Sequence, residues 1–535
     1  MGSPDYQTKG TEHRRALQQK ADLERLNLTT IQNANLPIHT LPAEVLLQIF
    51  QHFLPSYRSF PANSKTTDKS ICPWARLMGV CRHWRALIKN DAYFWRDIEV
   101  RSKYVQWLSL ALRRSGDAPV RVTLFRNLKT ALPLLMEHPD NIEALSFEGS
   151  IHDPGVASIL SWPSSILHSL EVSLEKSYHP TRSTLPLFNC GSPRLVKLAL
   201  TRVSLPWSAS ILADLEVLSL THCQLSTPPL PFEDFLDVLE RGQKLRNLCL
   251  KHFLSAALSP KTSSPASWHG RCITLPSLHR LACHDAPARV AQLLAHIHTP
   301  AIVEIELEGK WDTLDAPSIA GATLSSLLPA DLARVPALQS ISSAALEVGH
   351  EGRKLHGSSS SHIDLRFFLH KPPASWAREL EEEVRRLPIV FGAALTKLEL
   401  SGDLDFSPGT WDAVFEAFPG LQTLSLHHVR SGDLLALPAG LFGSLQSGSA
   451  ATGEAHVGAH CPALKELTLY PVWWKLQTVD AVLECLRFRV AKGARRLERL
   501  SLGAESRLPE SVDIEDERNR EQFREFIDEI VLWYW

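Results

Sequence analysis

The hexapeptide LEVLSL, residues 215–220, states a rule that most of this chain obeys. Leu218 and Leu220 are two residues apart, so in an extended strand both point to the same face. Leu215 sits where the chain approaches that strand. A strand this short cannot bury its apolar face alone, so it needs copies of itself as neighbours. The chain supplies them. The same L-x-x-L-x-L spacing begins at residues 142, 167, 195, 215, 245, 278, 302, 338, 395, 421, 464 and 497.

Several copies share a proline just before the strand, as in SPRL at 192, LPSL at 275, VPAL at 335 and CPAL at 461. Proline there ends the preceding helix or loop. Helical patterns fill the intervals. PFEDFLDVLERG at 231–242 places Phe232, Phe235, Leu236 and Leu239 on one face and closes at Gly242. VAQLLAHI at 290–297, WARELEEEVRRL at 376–387, WDAVFEAF at 411–418 and VDAVLECLRFRVA at 479–491 read the same way. Strand followed by loop or helix, repeated, resembles a leucine-rich-repeat array. The resemblance implies an α/β solenoid with a curved parallel sheet and outer helices. The unequal intervals, longest between 338 and 395, predict an irregular arc, and HIDLRFF at 362–368 predicts a degenerate strand in that gap. Residues 255–271, 351–362 and 431–460 are Ser-, Gly- or Ala-rich and read as loops. NREQFREFIDEIVLWYW, at the end, spaces Phe523, Phe526, Ile527, Ile530 and Val531 as a capping helix would.

The beginning differs. LPIHTLPAEVLLQIFQHFL at 36–54 and WARLMGVCRHWRALIKNDAYFWRDI at 74–98 carry two amphipathic helical patterns and an aromatic tail. Pro42 suits a first helical turn, and Glu44 suits the positive helix start. Val45, Leu46, Ile49, Phe50 and Phe53 form one stripe. Trp74, Leu77, Val80, Cys81, Trp84, Leu87 and Ile88 form a second, within one helix from Pro73 to Lys89. So short a segment cannot bury that many large side chains within itself. Either it docks on the next domain of the chain or it binds another protein. Upstream, residues 12–34 are loosely helical and polar.

These landmarks resemble an F-box: L-P-x-E, an apolar stripe ending in Ile-Phe, then V-C-x-x-W and a closing tryptophan. The large F-box families of mushroom-forming fungi are similar in their leading segment, and often carry an insertion like the one of about 17 residues at 55–71. The resemblance implies a three-helix module held by a Skp-family adaptor, and through it by the cullin and RING subunits of a ubiquitin ligase. It assigns adaptor contact to Leu41, Pro42, Leu46, Ile49, Phe50, Val80, Cys81, Trp84 and Trp95. The resulting division is a polar helical lead at 1–35, an F-box at 36–98, a repeat array at 99–518 and a terminal cap at 519–535. The leading reading is a non-catalytic substrate receptor. The alternative is a repeat scaffold whose N-terminal helices only cap the array.

Other chemistry finds no support. Net charge is −2, so no global field favours nucleic acid, and no long apolar run predicts a membrane span. Nine cysteines without C-x-x-C spacing suggest reduced thiols and a cytoplasmic or nuclear setting. No phosphate-loop, dinucleotide or nucleophile-elbow motif occurs, so no catalytic residue, metal or cofactor is expected. His296 and His298 read as solvent-facing, Cys283 as a structural thiol and Glu381-Glu382-Glu383 as a solvated helix face. Trp473 and Trp474, in YPVWWK, are the candidates for target contact.

Overall fold

The computed structural model describes residues 5–52, 74–101, 105–126, 128–150, 155–160, 166–175, 194–205, 214–225, 231–254, 271–310, 323–349, 352–368, 376–402, 408–427, 460–472, 476–504 and 517–534. They fall into two compact units, one of residues 1–181 with 186–195 and one of 182–185 with 196–535.

The first unit opens with helix Asp5–Ala34 and a 3₁₀ turn, Pro37–Thr40, before helix Ala43–His52. The second apolar stripe is not one helix. It breaks into Ala75–Met78 and Arg82–Asn90. Cys81 is the reason: it is extended, and its Sγ accepts the Trp84 N–H at 3.4 Å, capping a new helix start. The aromatic tail is a 3₁₀ turn, Ala92–Trp95. Four parallel strands come next: β1 Asp97–Arg101, β2 Val120–Phe125, β3 Ile142–Gly149 and β4 Ser169–Leu174. Their register aligns Ile98, Val122, Leu145 and Leu170 in one buried row and Val100, Leu124, Phe147 and Val172 in the next. β1 has no sequence forecast because it offers only two apolar positions, Ile98 and Val100. Helix Val105–Ser115 connects β1 to β2.

The second unit runs through β5 Lys197–Thr201, β6 Ser204–Leu205, β7 Val217–Thr221, β8 Gln224–Leu225, β9 Asn247–Lys251, β10 Ile273–Thr274, β11 Arg280–Asp285, β12 Ile297–His298 and β13 Glu304–Lys310. It continues with β14 Ser343–Gly349, β15 Gly352–Ser358, β16 His362–Phe368, β17 Lys397–Ser401, β18 Thr423–His427, β19 Glu466–Val472, β20 Leu497–Ala504 and β21 Ile527–Tyr534. Odd-numbered β5 to β13 pair in parallel and in chain order. β13 then pairs not with β14 but with β16. β15 lies antiparallel between β16 and β14, and β14 hands the sheet on to β17. From β17 to β21 the order is parallel again.

The reversal does not interrupt the core. Leu200, Leu220, Leu250, Cys283, Leu307, Leu365, Leu355, Leu346, Leu400, Leu426, Leu469 and Leu502 are successive register partners, and all are buried. Each such side chain contributes roughly 1.5–3 kcal/mol by leaving water. Behind the first strands the turn also repeats. Arg202, His222 and His252 take left-handed φ values of 59°, 51° and 49°. Their N–H groups donate to the carbonyls of Thr221, Lys251 and His284 on the next strand, at 2.7–2.8 Å. These bonds offset the cost of a left-handed L-residue. Val203, Cys223 and Phe253 then turn inward, fully buried.

Four further expectations need correction. The polar run at 351–362 is not a loop: it contains β15, whose Arg353, Leu355 and Gly357 face inward while Lys354 and His356 face out. Alternation survives there because Arg and Gly occupy two inner positions. The copy placed at Leu338 is out of frame. Leu338 lies in a 3₁₀ turn, Pro336–Ser340, and the strand uses Ile341, Ala344 and Leu346 instead. Ala344 in a leucine slot hid it. The terminal cap is helix Glu517–Arg524 followed by strand β21, not one helix. Finally, Glu383 of helix Trp376–Phe391 is 4% exposed, with its carboxylate 3.2 Å from the guanidinium of Arg353. It faces the sheet because Arg353 occupies an inner position there. Glu381 is half-buried and accepts from Thr410; the Glu382 side chain lies outside the described residues. The degenerate strand expected at 362–368 is β16.

Candidate functional site

The helical module before β1 is built around two aromatic contacts. Phe50, from helix Ala43–His52, lies 4.6 Å from Trp84 of helix Arg82–Asn90, ring to ring. Trp95 lies 4.6 Å from Trp74 and 5.2 Å from Trp107, and its Nε1 donates to the Ile88 carbonyl at 3.0 Å. Trp107 belongs to helix Val105–Ser115 and lies beyond the motif, so motif reading missed it. Its signal was a tryptophan on a helix that immediately follows β1. Pro42 closes the approach to its helix: its carbonyl accepts from Val45 and Leu46 at 3.1 Å.

The nine forecast contact residues divide by exposure. Leu46, Phe50 and Trp95 are buried and pack the module itself. Ile49, Cys81 and Trp84 are half-buried. Leu41 (36% exposed), Pro42 and Val80 (56%) face solvent. Val45 and Ile38, which the motif does not name as contacts, are exposed too. Among the described residues the indole N–H of Trp84 is buried without an acceptor. Beside it, His39 Nε2 lies 3.8 Å from Cys81 Sγ, and a cavity of about 220 Å³ opens between His39, Cys81, His83 and the end of the leading helix at Thr30 and Asn33.

The second unit differs on the outward face of its described strands. That face carries charge. Arg280 is 3.3 Å from Glu304 and 3.6 Å from Glu306. His284 lies 3.3 Å from Glu306 and 3.4 Å from Glu308. Burial lowers the His284 pKa, with Lys251 adding to the effect and the two carboxylates opposing it. Cys283, behind this face, is fully buried, and burial pushes its thiol well above the ordinary range, as suits a structural group. His296 turns its Nδ1 to the Arg271 carbonyl at 2.8 Å, while His298 lies in β12. Among the described residues no group of three or more His, Cys, Asp or Glu could hold a metal ion. Trp473, Trp474 and the insertion at 55–71 lie outside the described residues.

Residues 38–101 match the F-box-like family. The match covers the helical module and ends with β1. No curated protein matches the chain. The first unit thus carries an F-box-like domain. Among the described residues no helix is long and apolar enough to cross a membrane.

Proposed function

We propose that this chain is the substrate-recognition subunit of a Skp–cullin–F-box ubiquitin ligase. The observation that carries the reading is the F-box-like match at 38–101, on a module that leaves Leu41, Pro42, Val45 and Val80 in water. In this reading those four side chains meet a Skp-family adaptor directly. Ile49, Cys81 and Trp84 meet it at the margin of the contact. Leu46, Phe50 and Trp95 hold the helices in the shape that presents it. Cullin and RING subunits join through the adaptor.

The strands of the second unit then present the target. A leucine-rich-repeat array is the architecture that fits them best. The 215–225 segment reads L-x-x-L-x-L-x-x-C-x-L in full, and Cys223 Sγ donates to the Leu200 carbonyl at 3.2 Å. Trp473 and Trp474 remain proposed target contacts. The chain performs no covalent step. It brings a target lysine to the charged enzyme by tethering, which raises effective concentration. Action in the cytoplasm or nucleus accords with this role and with the free thiols of Cys223, Cys283, Cys461 and Cys485.

A capping role for the helices would require Ile49, Phe50 and Trp84 to be covered; Ile49 and Trp84 are partly exposed, while Phe50 is buried with its ring against Trp84 of the same module. The test is co-purification with the adaptor. Wild-type chain is expected to retain it, and Leu41→Ala/Pro42→Ala to lose it with an unchanged melting temperature. If the adaptor never co-purifies and the double variant unfolds the strands, the helices are only a cap.

A further inference from the structure

At the strand reversal the outward face dips. Ala345 and Glu347 of β14, Lys354 and His356 of β15, and Asp364 and Arg366 of β16 line a cavity of about 370 Å³. The register makes it a grid. Glu347, Lys354 and Arg366 are partners in one row, and Ala345, His356 and Asp364 in the next. Ala345 is the smallest of these side chains, and its partner on β17 is Glu399. Among the described residues the parallel strands on either side have no counterpart of this arrangement, because two antiparallel pairings bring three consecutive strands together here.

The charges are already matched. Lys354 Nζ lies 3.2 Å from Glu347, both well exposed. Arg366 donates to Asp364 through Nε at 3.2 Å and through a second N–H, and reaches Glu306 at 3.7 Å. A ligand of one sign would have to leave one member of a pair without its partner. A ligand with both signs exchanges partners: its carboxylate takes Lys354 as its cation takes Glu347, and no charge is stranded. The exposed Lys354–Glu347 pair costs little to open. Glu304, Glu306 and Glu308 alongside disfavour a polyanion, and Lys354 and Arg366 disfavour a polycation. The volume suits one or two side chains.

We propose that this depression binds a peptide segment of the target carrying adjacent side chains of opposite charge. The inference rests on the reading that the second unit presents targets, and it names the chemistry of that contact.

The test uses the labelled full chain and four sets of capped dodecapeptides: acidic, basic, neutral, and mixed with acidic and basic residues adjacent. The mixed set is expected to bind best and to lose its advantage in high salt. Glu347→Gln, at an exposed position, is expected to weaken it roughly tenfold. Ala345→Leu, which fills the depression, is expected to abolish it at unchanged melting temperature. Equal or better binding by the acidic, basic or neutral set, no binding by any set, or wild-type binding by both variants overturns the proposal. Adaptor binding is measured on the same samples. If it persists while the peptides fail, the pocket assignment alone falls; if it is absent, the receptor reading falls with it.

Discussion

In the F-box-like helices Val80 is 56% exposed, whereas Leu220, Leu307 and Leu426 in the second unit are fully buried. The residues are chemically alike; their neighbours differ. Each sheet leucine has an apolar register partner on both sides, so its surface is consumed by folding. Val80 sits in the break between two short helices and has no such partners. The inner leucine row of the second unit is therefore core, and charged side chains stand on the outward rows. In the first unit Leu41, Val45 and Val80 keep apolar surface in water.

Leu426 is where this contrast can be broken most visibly. Leu426→Ala, in the middle of the continuous row, is expected to cost about 2–5 kcal/mol of stability, read by urea unfolding. It should leave adaptor affinity unchanged once the protein is folded. A loss below about 1 kcal/mol would show that the row is not a shared core.

Val80→Asp is the opposite case. Stability should shift by no more than about 0.5 kcal/mol, as at an ordinary surface position. Adaptor affinity should fall roughly a hundredfold, the scale of an interface anchor. If Val80→Asp instead unfolds the first unit, Val80 belongs to the core of the module and not to its surface.

A smaller effect sharpens the picture of the second unit's interior. Burial pushes Glu383 up to about 7 from 4.5, against the pull of the Leu324 N–H and the Arg353 guanidinium. The folded chain therefore keeps this proton to about pH 7, while the unfolded chain releases it near 4.5. Between those values the native state binds more protons, so this group's contribution to stability falls as pH rises and stays lost above about 7. Glu383→Gln is expected to flatten the pH dependence of urea unfolding in that window. An unchanged slope would place the dependence on another group.

Much of this was legible from residue spacing. Eleven of the twelve L-x-x-L-x-L copies coincide with a strand, because apolar residues in the inner slots, mostly Leu, leave a period-two signal. The failures at Leu338, at 351–362 and at Glu383 share one cause, an inner slot filled by an atypical residue. Ala344 moved the frame by three residues, and Arg353 with Gly357 made β15 look like a polar loop. Glu383 then looked solvated because its partner, Arg353, had been assigned to that loop. The reversed strand order was not legible at all, since register between distant segments leaves no local trace. At the helical module the motif marked the right segment but not which side chains face out. That division depends on Cys81 breaking the second helix and on Trp107, which lies beyond the motif.

The role proposed for the exposed apolar groups of the F-box-like helices is to receive an adaptor. Hydrogen exchange on the full chain, with and without a purified Skp-family adaptor, tests it most directly. Protection is expected to appear over residues 36–52 and 80–90, with β13 to β18 unchanged. Protection confined to the strands, or none at saturating adaptor, would contradict it.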